Sequence, residues 1–406
     1  MPTSSSRPLA QRLRSAPICL AALLLAPILP SWADAPKSWA DAPKPLPAKW
    51  HEFIELFDST LEKNGVVGGS VALVENGRAV ARHHYGYADR EKGIKVDDDT
   101  IFHWASITKT LNAIAMMQLR DRGLISLDDP VTRLVPELRQ MHNPFGSMDA
   151  ITIRMLLEHS AGFQAATWPY KRNEPWEPFE PTRWEQLVAM MPYQEVQFPP
   201  GTRFSYSNPA WIYAARILEQ VSGDPWQYYI QKHIFMPLGM TRSYFGYTPP
   251  WLLADRSSRY IGETGEDGKE RTLDFGGEFN PGITIPNGGW NSPLDDVITY
   301  IAFLTNATGG DPERRKRFDS VLRRSTLEEM WQPRLPVEGG GHMGYAFFLL
   351  DEKSPRLIGH TGGQGGFTSY FYINPATGRG IVAAFNTVGK GNSFSILREA
   401  GIEVLR

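Results

Sequence analysis

The stretch FHWASITKT, residues 102–110, places Ser106 three positions before Lys109, where an aromatic approach gives way to a helical pattern. Residues i and i+3 lie on the same face of a helix, so the lysine amine can reach the serine hydroxyl. Burial or a nearby positive potential would keep that amine neutral, and a neutral amine can take the serine proton. The helix N-terminus adds a positive dipole end and a backbone N–H that can bind an oxyanion. The pattern predicts an activated nucleophile; the ordinary alternative is a serine that only caps the helix.

The composition of the whole chain is that of a globular protein. Its 406 residues carry a formal charge of −2, and 21% of them are charged. This length allows one large domain or two ordinary ones. The balanced charge leaves no broad basic surface, which excludes nucleic acid as a partner. The histidines show no metal-ligand spacing and the single cysteine lies near the N-terminus, so we expect neither a metal nor another cofactor.

The N-terminal residues have the features of an export signal. Residues 1–35 carry arginines, then a mostly apolar run, then small residues, which predicts a cleaved signal peptide and a periplasmic or extracellular protein. The run is too short and proline-rich for a span of about 20 apolar residues, so we expect no stable membrane span after cleavage. An uncleaved anchor is the alternative. A tandem SWADAPK repeat follows, and residues 36–50 are interpreted as a proline- and alanine-rich linker.

Residues 51–406 are predicted to form one domain. Two β-rich runs surround Asn76-Gly77, a strong hairpin signal, and the last sixty or so residues return to strands. Helical patterns lie between them. The expected fold class is therefore α/β, with an antiparallel sheet flanked by helices and built from about 51–105 and 285–406, and a mainly helical insertion at about 106–284. Part of that insertion, from Phe163 to Pro200, is interpreted as a surface excursion that roofs a cleft.

A second candidate motif is Tyr206-Ser207-Asn208, which follows a proline-glycine turn and precedes a helix. A phenol can pass a proton to a leaving group when a nearby cation lowers its pKa. The amide of Asn208 can both hold the lysine and bind a substrate amide. The alternative for Tyr206 is a packing role.

A third candidate motif is His360-Thr361-Gly362-Gly363 at the end of a strand. Glycines there allow a substrate backbone to approach as an added strand, and the N–H of Gly363 can serve as a second oxyanion donor. An ordinary glycine turn and a packed histidine are the alternatives.

In this order, the three motifs resemble those of the serine β-lactamases and penicillin-binding proteins. The resemblance extends from about residue 50 onward. A second Tyr-x-Asn, at 372–374, follows the third motif and does not fit the order. The Tyr-x-Asn motif resembles the branch that holds class C β-lactamases, D-alanyl-D-alanine carboxypeptidases, D-aminopeptidases and related esterases. Four further stretches support the resemblance to the family as a whole: 151–163, 201–223, 237–245 and 287–297.

The resemblance implies an exported serine hydrolase that works through an acyl-enzyme. Ser106 would attack a carbonyl, while Lys109 and Tyr206 share the base role. The N–H groups of Ser106 and Gly363 would bind the oxyanion. The implied substrate-binding residues are Asn208, His360, Thr361 and Gly362.

The third motif limits the expected substrates, because dedicated β-lactamases have lysine where this chain has histidine. Histidine is only partly charged near neutral pH, so efficient β-lactam turnover is not expected. The expected partner is a small molecule or short peptide: a D-amino-acid peptide or amide, a small ester, or weakly a β-lactam. The alternative is a non-catalytic homologue that binds peptidoglycan fragments or β-lactams. A structural envelope protein would need an interaction repeat or an anchor, and neither is found.

Overall fold

The computed structural model describes residues 48–165, 181–265, 267–268, 270–350, 356–389 and 391–406. The interpreted signal peptide and most of the linker lie outside these residues, as does the middle of the 163–200 excursion. These three interpretations therefore remain predictions.

The predicted hairpin is present and begins the main sheet. Asn76 and Gly77 have φ angles of +50° and +72°, the left-handed conformation that a two-residue hairpin turn requires. They join β1 (Gly68–Glu75) to β2 (Arg78–Asp89).

The main sheet joins the two ends of the domain, because β1 pairs with β2 on one side and with the last long strand on the other. The second pairing places Gly69 opposite Phe385. The remaining strands are β3 Ile94–Lys95, β4 Ile101–Ala105, β5 Tyr244–Phe245, β6 Tyr260–Thr264, β7 Glu270–Asp274, β8 Trp290–Pro293, β9 Leu335–Pro336, β10 His342–Met343, β11 Phe348–Leu350, β12 Leu357–Gln364, β13 Phe367–Asn374, β14 Arg379–Phe385 and β15 Thr387–Val388. The nine-stranded sheet has the order β3-β2-β1-β14-β13-β12-β11-β10-β9, which confirms the predicted antiparallel sheet built from both chain ends.

Two three-stranded sheets accompany it, with the orders β15-β6-β7 and β4-β8-β5. Strands β5 to β7 lie within the predicted helical insertion, which is otherwise mainly helical. The helices are α1 Ala48–Lys63, α2 Thr108–Asp121, α3 Val131–Leu134, α4 Ile153–Leu157, α5 Trp184–Met190, α6 Pro209–Ser222, α7 Trp226–Ile230, α8 Met236–Leu238, α9 Ile285–Gly288, α10 Leu294–Leu304, α11 Pro312–Val321, α12 Arg324–Met330 and α13 Ser393–Leu405.

Helices cover both faces of the main sheet. On the outer face, α1 and α13 pack together, and α1 buries Trp50, Phe53 and Phe57, spaced one helical turn apart, in a cluster with Tyr370 and Phe385. The larger core lies on the inner face, where α2 is buried from Thr108 through Leu119. Within the described ranges, none of the helices combines the length and apolar character needed to cross a bilayer.

Candidate active site

The turn between β4 and α2 presents Ser106. Strand β4 ends at Ala105, whose φ of +48° lies in the left-handed region and bends the chain sharply. Ser106 is partly exposed, whereas its two neighbours in the chain, Ala105 and Ile107, are buried. The N-cap of α2 is Ile107, and no side chain caps the helix. Ser106 is therefore not a helix cap, and its hydroxyl is not used in holding the helix end.

Lys109 connects this hydroxyl to a second chain segment. Its Nζ lies 3.0 Å from Ser106 Oγ and donates to the backbone carbonyl of Asn287 at 2.6 Å. Burial lowers the pKa of Lys109 well below the usual lysine value, because a charged amine is poorly solvated there. The neutral amine has a lone pair that can accept the serine proton.

Tyr206 is brought to the same place. The Lys109 Nζ lies 5.0 Å from its ring centroid, and the Ser106 hydroxyl is near enough to influence the pKa of the phenol. Burial raises the pKa of Tyr206, and the neighbouring Ser106 hydroxyl opposes this rise. This differs from the expectation that a nearby cation lowers that pKa, because burial makes the neighbouring lysine neutral. A protonated phenol acts here as a donor rather than as a base.

Asn208 lies at the start of α6, close to the lysine's partner segment. Its backbone carbonyl accepts from Asn287 Nδ2 at 3.4 Å. The amine of Lys109 is held by the carbonyl of Asn287. Sequence reasoning expected the Asn208 amide to hold the lysine and assigned Asn287 no role, because a backbone carbonyl leaves no residue-type signal.

His360 reaches the site from β12 as a neutral group. Its ring centroid lies 6.3 Å from that of Tyr206 and 5.2 Å from that of Phe348. Nδ1 donates to the Thr361 carbonyl at 2.6 Å, and Nε2 is buried without a hydrogen-bond partner among the described residues. Burial lowers the pKa of His360 to about 3, because the charged imidazolium is poorly solvated there. The third motif therefore offers a lone pair and no positive charge.

The glycines of the third motif have different surroundings. A Cβ on Gly362 would lie 2.3 Å from the Trp104 carbonyl oxygen, so this residue packs directly against the end of β4. A Cβ on Gly363 would meet no heavy atom within 4 Å. Moreover, β12 pairs with β11 only through Leu357–Gly359. The backbone at Gly363 therefore faces open space, whereas Gly362 fixes the motif against the nucleophile turn.

Thr361 points away from this cluster. It lines a cavity of about 740 Å³ together with Tyr372 of β13 and Arg398 of α13. Helix α13 lies on the outer face, and neighbouring positions of a strand point to opposite faces. The structure thus brings His360 toward Tyr206 and places Thr361 on the other side of the sheet. Tyr372, from the second Tyr-x-Asn, is on that outer side as well.

His159 is a further residue of the cluster that sequence reasoning did not assign. Its ring stacks on that of Tyr206, with centroids 4.4 Å apart and planes 19° from parallel. Its Nδ1 accepts from the backbone N–H of Ser207 at 2.9 Å. The residue belongs to the 151–163 stretch on which the family resemblance was based, and this was the available signal.

A family model described as Beta-lactamase matches residues 53–406, most of the chain.

The chain belongs to the beta-lactamase family. The resemblance inferred from its motifs is thereby confirmed. Among curated relatives, this beta-lactamase-family chain is similar to Protein flp of Staphylococcus aureus (strain N315), with 25% identity over 333 residues that make up 82% of this chain and 62% of that protein. It therefore spans less than two thirds of that relative's length.

Solved structures share the fold. The octameric penicillin-binding protein homologue from Pyrococcus abyssi has a TM-score of 0.70 and 25% identity, covering 87% of this chain and 77% of that one. The D-amino acid amidase from Ochrobactrum anthropi SV3, solved with L-phenylalanine amide, has a TM-score of 0.69 and 23% identity, covering 87% and 97%. These likenesses confirm the predicted beta-lactamase-like fold.

Proposed function

We propose that this beta-lactamase-family chain is a serine hydrolase that cleaves amide or ester bonds through an acyl-enzyme. The observation that carries the proposal is the buried amine of Lys109, 3.0 Å from the hydroxyl of Ser106, a residue that is partly exposed. A serine needs a neighbouring base to become nucleophilic, and a lysine is a base only when its environment keeps it neutral.

In the proposed reaction, Lys109 takes the proton of Ser106 as Oγ attacks the substrate carbonyl. The oxyanion is bound by the N–H groups of Ser106 and Gly363. Tyr206 donates its hydroxyl proton to the leaving nitrogen or oxygen and regains a proton through Lys109, so the protons balance. Water, assisted by the same pair, then attacks the acyl-enzyme and releases the acid.

The proposed substrates are amides or small esters of D-amino acids rather than β-lactams. His360 is neutral in the fold, so it offers no attraction to the carboxylate that a cationic lysine at this position would bind. The proposal draws further support from the amidase neighbour, whose name states its action on D-amino acid amides. In this scheme, Asn208 binds the substrate through its side-chain amide. Thr361 and Gly362 act by supporting β12.

Labelling by a tagged fluorophosphonate tests the nucleophile. We expect one equivalent of label on the purified chain, located at Ser106 by mass spectrometry, and none on Ser106→Ala. The matched control is Ser205→Ala, which removes a nearby serine that hydrogen-bonds through its backbone to His159. Labelling that persists in Ser106→Ala would contradict the proposal.

A substrate panel then tests the reaction class. D-phenylalanine amide, its L-enantiomer, p-nitrophenyl acetate and nitrocefin are assayed with one preparation, and we expect turnover of the D-amide or the ester to exceed that of nitrocefin. Binding of a tagged penicillin without acylation or ester turnover would instead support the non-catalytic receptor. Export belongs to the proposal as well, and rests only on the signal-like residues 1–35. Sequencing the N-terminus of the protein secreted by its host tests it.

A further inference from the structure

The segment that carries Tyr206 is held on both sides by one residue. The backbone carbonyl of His159 accepts from the N–H of Ser205 at 2.8 Å, and the ring Nδ1 of His159 accepts from the N–H of Ser207 at 2.9 Å. These two bonds bracket Tyr206 in the chain. In addition, the ring of His159 stacks on the ring of Tyr206, with centroids 4.4 Å apart.

The backbone of His159 is itself shaped for this contact. Its φ of +57° lies in the left-handed region, which is unusual for a residue other than glycine. The residue follows α4 and is buried, with 1% of its surface exposed. A strained and fully enclosed conformation of this kind persists when the surrounding contacts fix it.

The surroundings also fix the protonation state of the His159 ring. Two donors face it: the N–H of Ser207, and Nε1–H of Trp211 at 3.2 Å from Nε2. A neutral imidazole has one lone pair, so the shorter contact with the fixed backbone of Ser207 makes Nδ1 the acceptor. A charged ring would have no acceptor for either N–H. Burial also lowers the pKa of His159 well below its usual range, because a charged ring is poorly solvated there.

We propose that His159 is a positioning residue for the hydrolase: its neutral ring and its carbonyl hold Tyr206 at the angle at which the phenol reaches Ser106 and the leaving group. This inference rests on the proposed function. His159 touches no reacting atom and acts only through Tyr206. Because a misplacement of about 1 Å can cost roughly 100-fold in rate, loss of the ring slows the reaction even if the fold is retained.

Two variants separate the ring's contributions. His159→Phe keeps an aromatic face against Tyr206 but removes the acceptor for Ser207. His159→Asn keeps an acceptor oxygen near that N–H but removes the ring. Thermal unfolding of both variants verifies that they fold. We expect each to lower the rate of fluorophosphonate labelling at Ser106 by about 10-fold or more.

A double-mutant cycle with Tyr206→Phe is decisive. If His159 acts through the phenol, either His159 change has less than about a 2-fold effect on labelling once the hydroxyl of Tyr206 is absent. A purely structural role predicts the same factor in both backgrounds, and that additivity would overturn the inference. So would unchanged labelling in both single variants. Absence of label on the wild-type chain would refute both the proposed function and this inference. Additive effects in a chain that is labelled at Ser106 would refute the inference alone.

Discussion

Replacing Lys109 with methionine should change how the stability of the fold depends on pH. The folded amine is kept neutral by burial, whereas the same amine in the unfolded chain is protonated up to its ordinary pKa of about 10.4. Between the folded and unfolded pKa values, the unfolded state therefore binds one more proton. The free energy of unfolding of the wild type must rise with pH in this window, relative to a variant that lacks the amine.

The magnitude follows from linkage alone. One proton of difference is worth about 1.4 kcal/mol per pH unit. Other groups titrate equally in both proteins, so the difference between wild type and Lys109→Met isolates this amine. Across two pH units inside the window, the wild type gains about 2.8 kcal/mol on the variant. Below the folded pKa the difference becomes constant.

Urea unfolding followed by tryptophan fluorescence measures this difference, and the chain has 12 tryptophans to report it. Curves are recorded at half-unit steps from pH 7 to 9. The matched control is Lys232→Met, which removes a lysine whose side chain is 60% exposed. If wild type and Lys109→Met have parallel stability curves over the whole range, the amine is protonated in the fold, and the base role proposed for it is refuted.

Three further outcomes are expected. Tyr206→Phe removes the hydroxyl next to Ser106 and should lower kcat for ester turnover by about 100-fold or more at an unchanged unfolding midpoint. Near-normal turnover would argue against proton donation by the phenol. Gly362→Ala should lower the free energy of unfolding, measured in urea, by about 1–3 kcal/mol, because its methyl group would lie 2.3 Å from a backbone oxygen. The matched Gly363→Ala should change it by less than about 0.5 kcal/mol, and equal losses would contradict the difference in packing. His360→Gln should leave the shape of the rate profile from about pH 5 to 8 unchanged, because the pKa of His360 is about 3; a limb near pH 6.5 that disappears in the variant would show that the histidine titrates there.

Much of the architecture was predictable because local chemistry and long-range pairing agree. Asn76-Gly77 specifies a turn that few other dipeptides form, and it set the first hairpin correctly. The run from Gly344 to Leu350 was less informative, since only Phe348–Leu350 pairs as a strand. Helix α1 was not predicted, although its aromatic residues recur one turn apart. The proline-rich residues before it directed the interpretation toward a linker.

The site was predictable where residue type carries the chemistry, and not where backbone does. The structure brings Ser106, Lys109 and Tyr206 together, as their types suggested. The carbonyl of Asn287 could not be found this way, because every residue has one. The outward direction of Thr361 could have been foreseen, since the strand alternation that turns a histidine inward turns its neighbour outward.

The pairing of β1 with β14 has a consequence for the order in which the protein is made. Gly69 is opposite Phe385, so the first long strand acquires its second partner only when almost the entire chain has been synthesised. A chain interrupted before Arg379 would have no strand to connect β1 with β13. Such distant pairing slows folding, because the entropy cost of closing a large loop comes before the stabilising contacts form. The nucleophile turn therefore emerges long before the main sheet, which supports Gly363, can be completed.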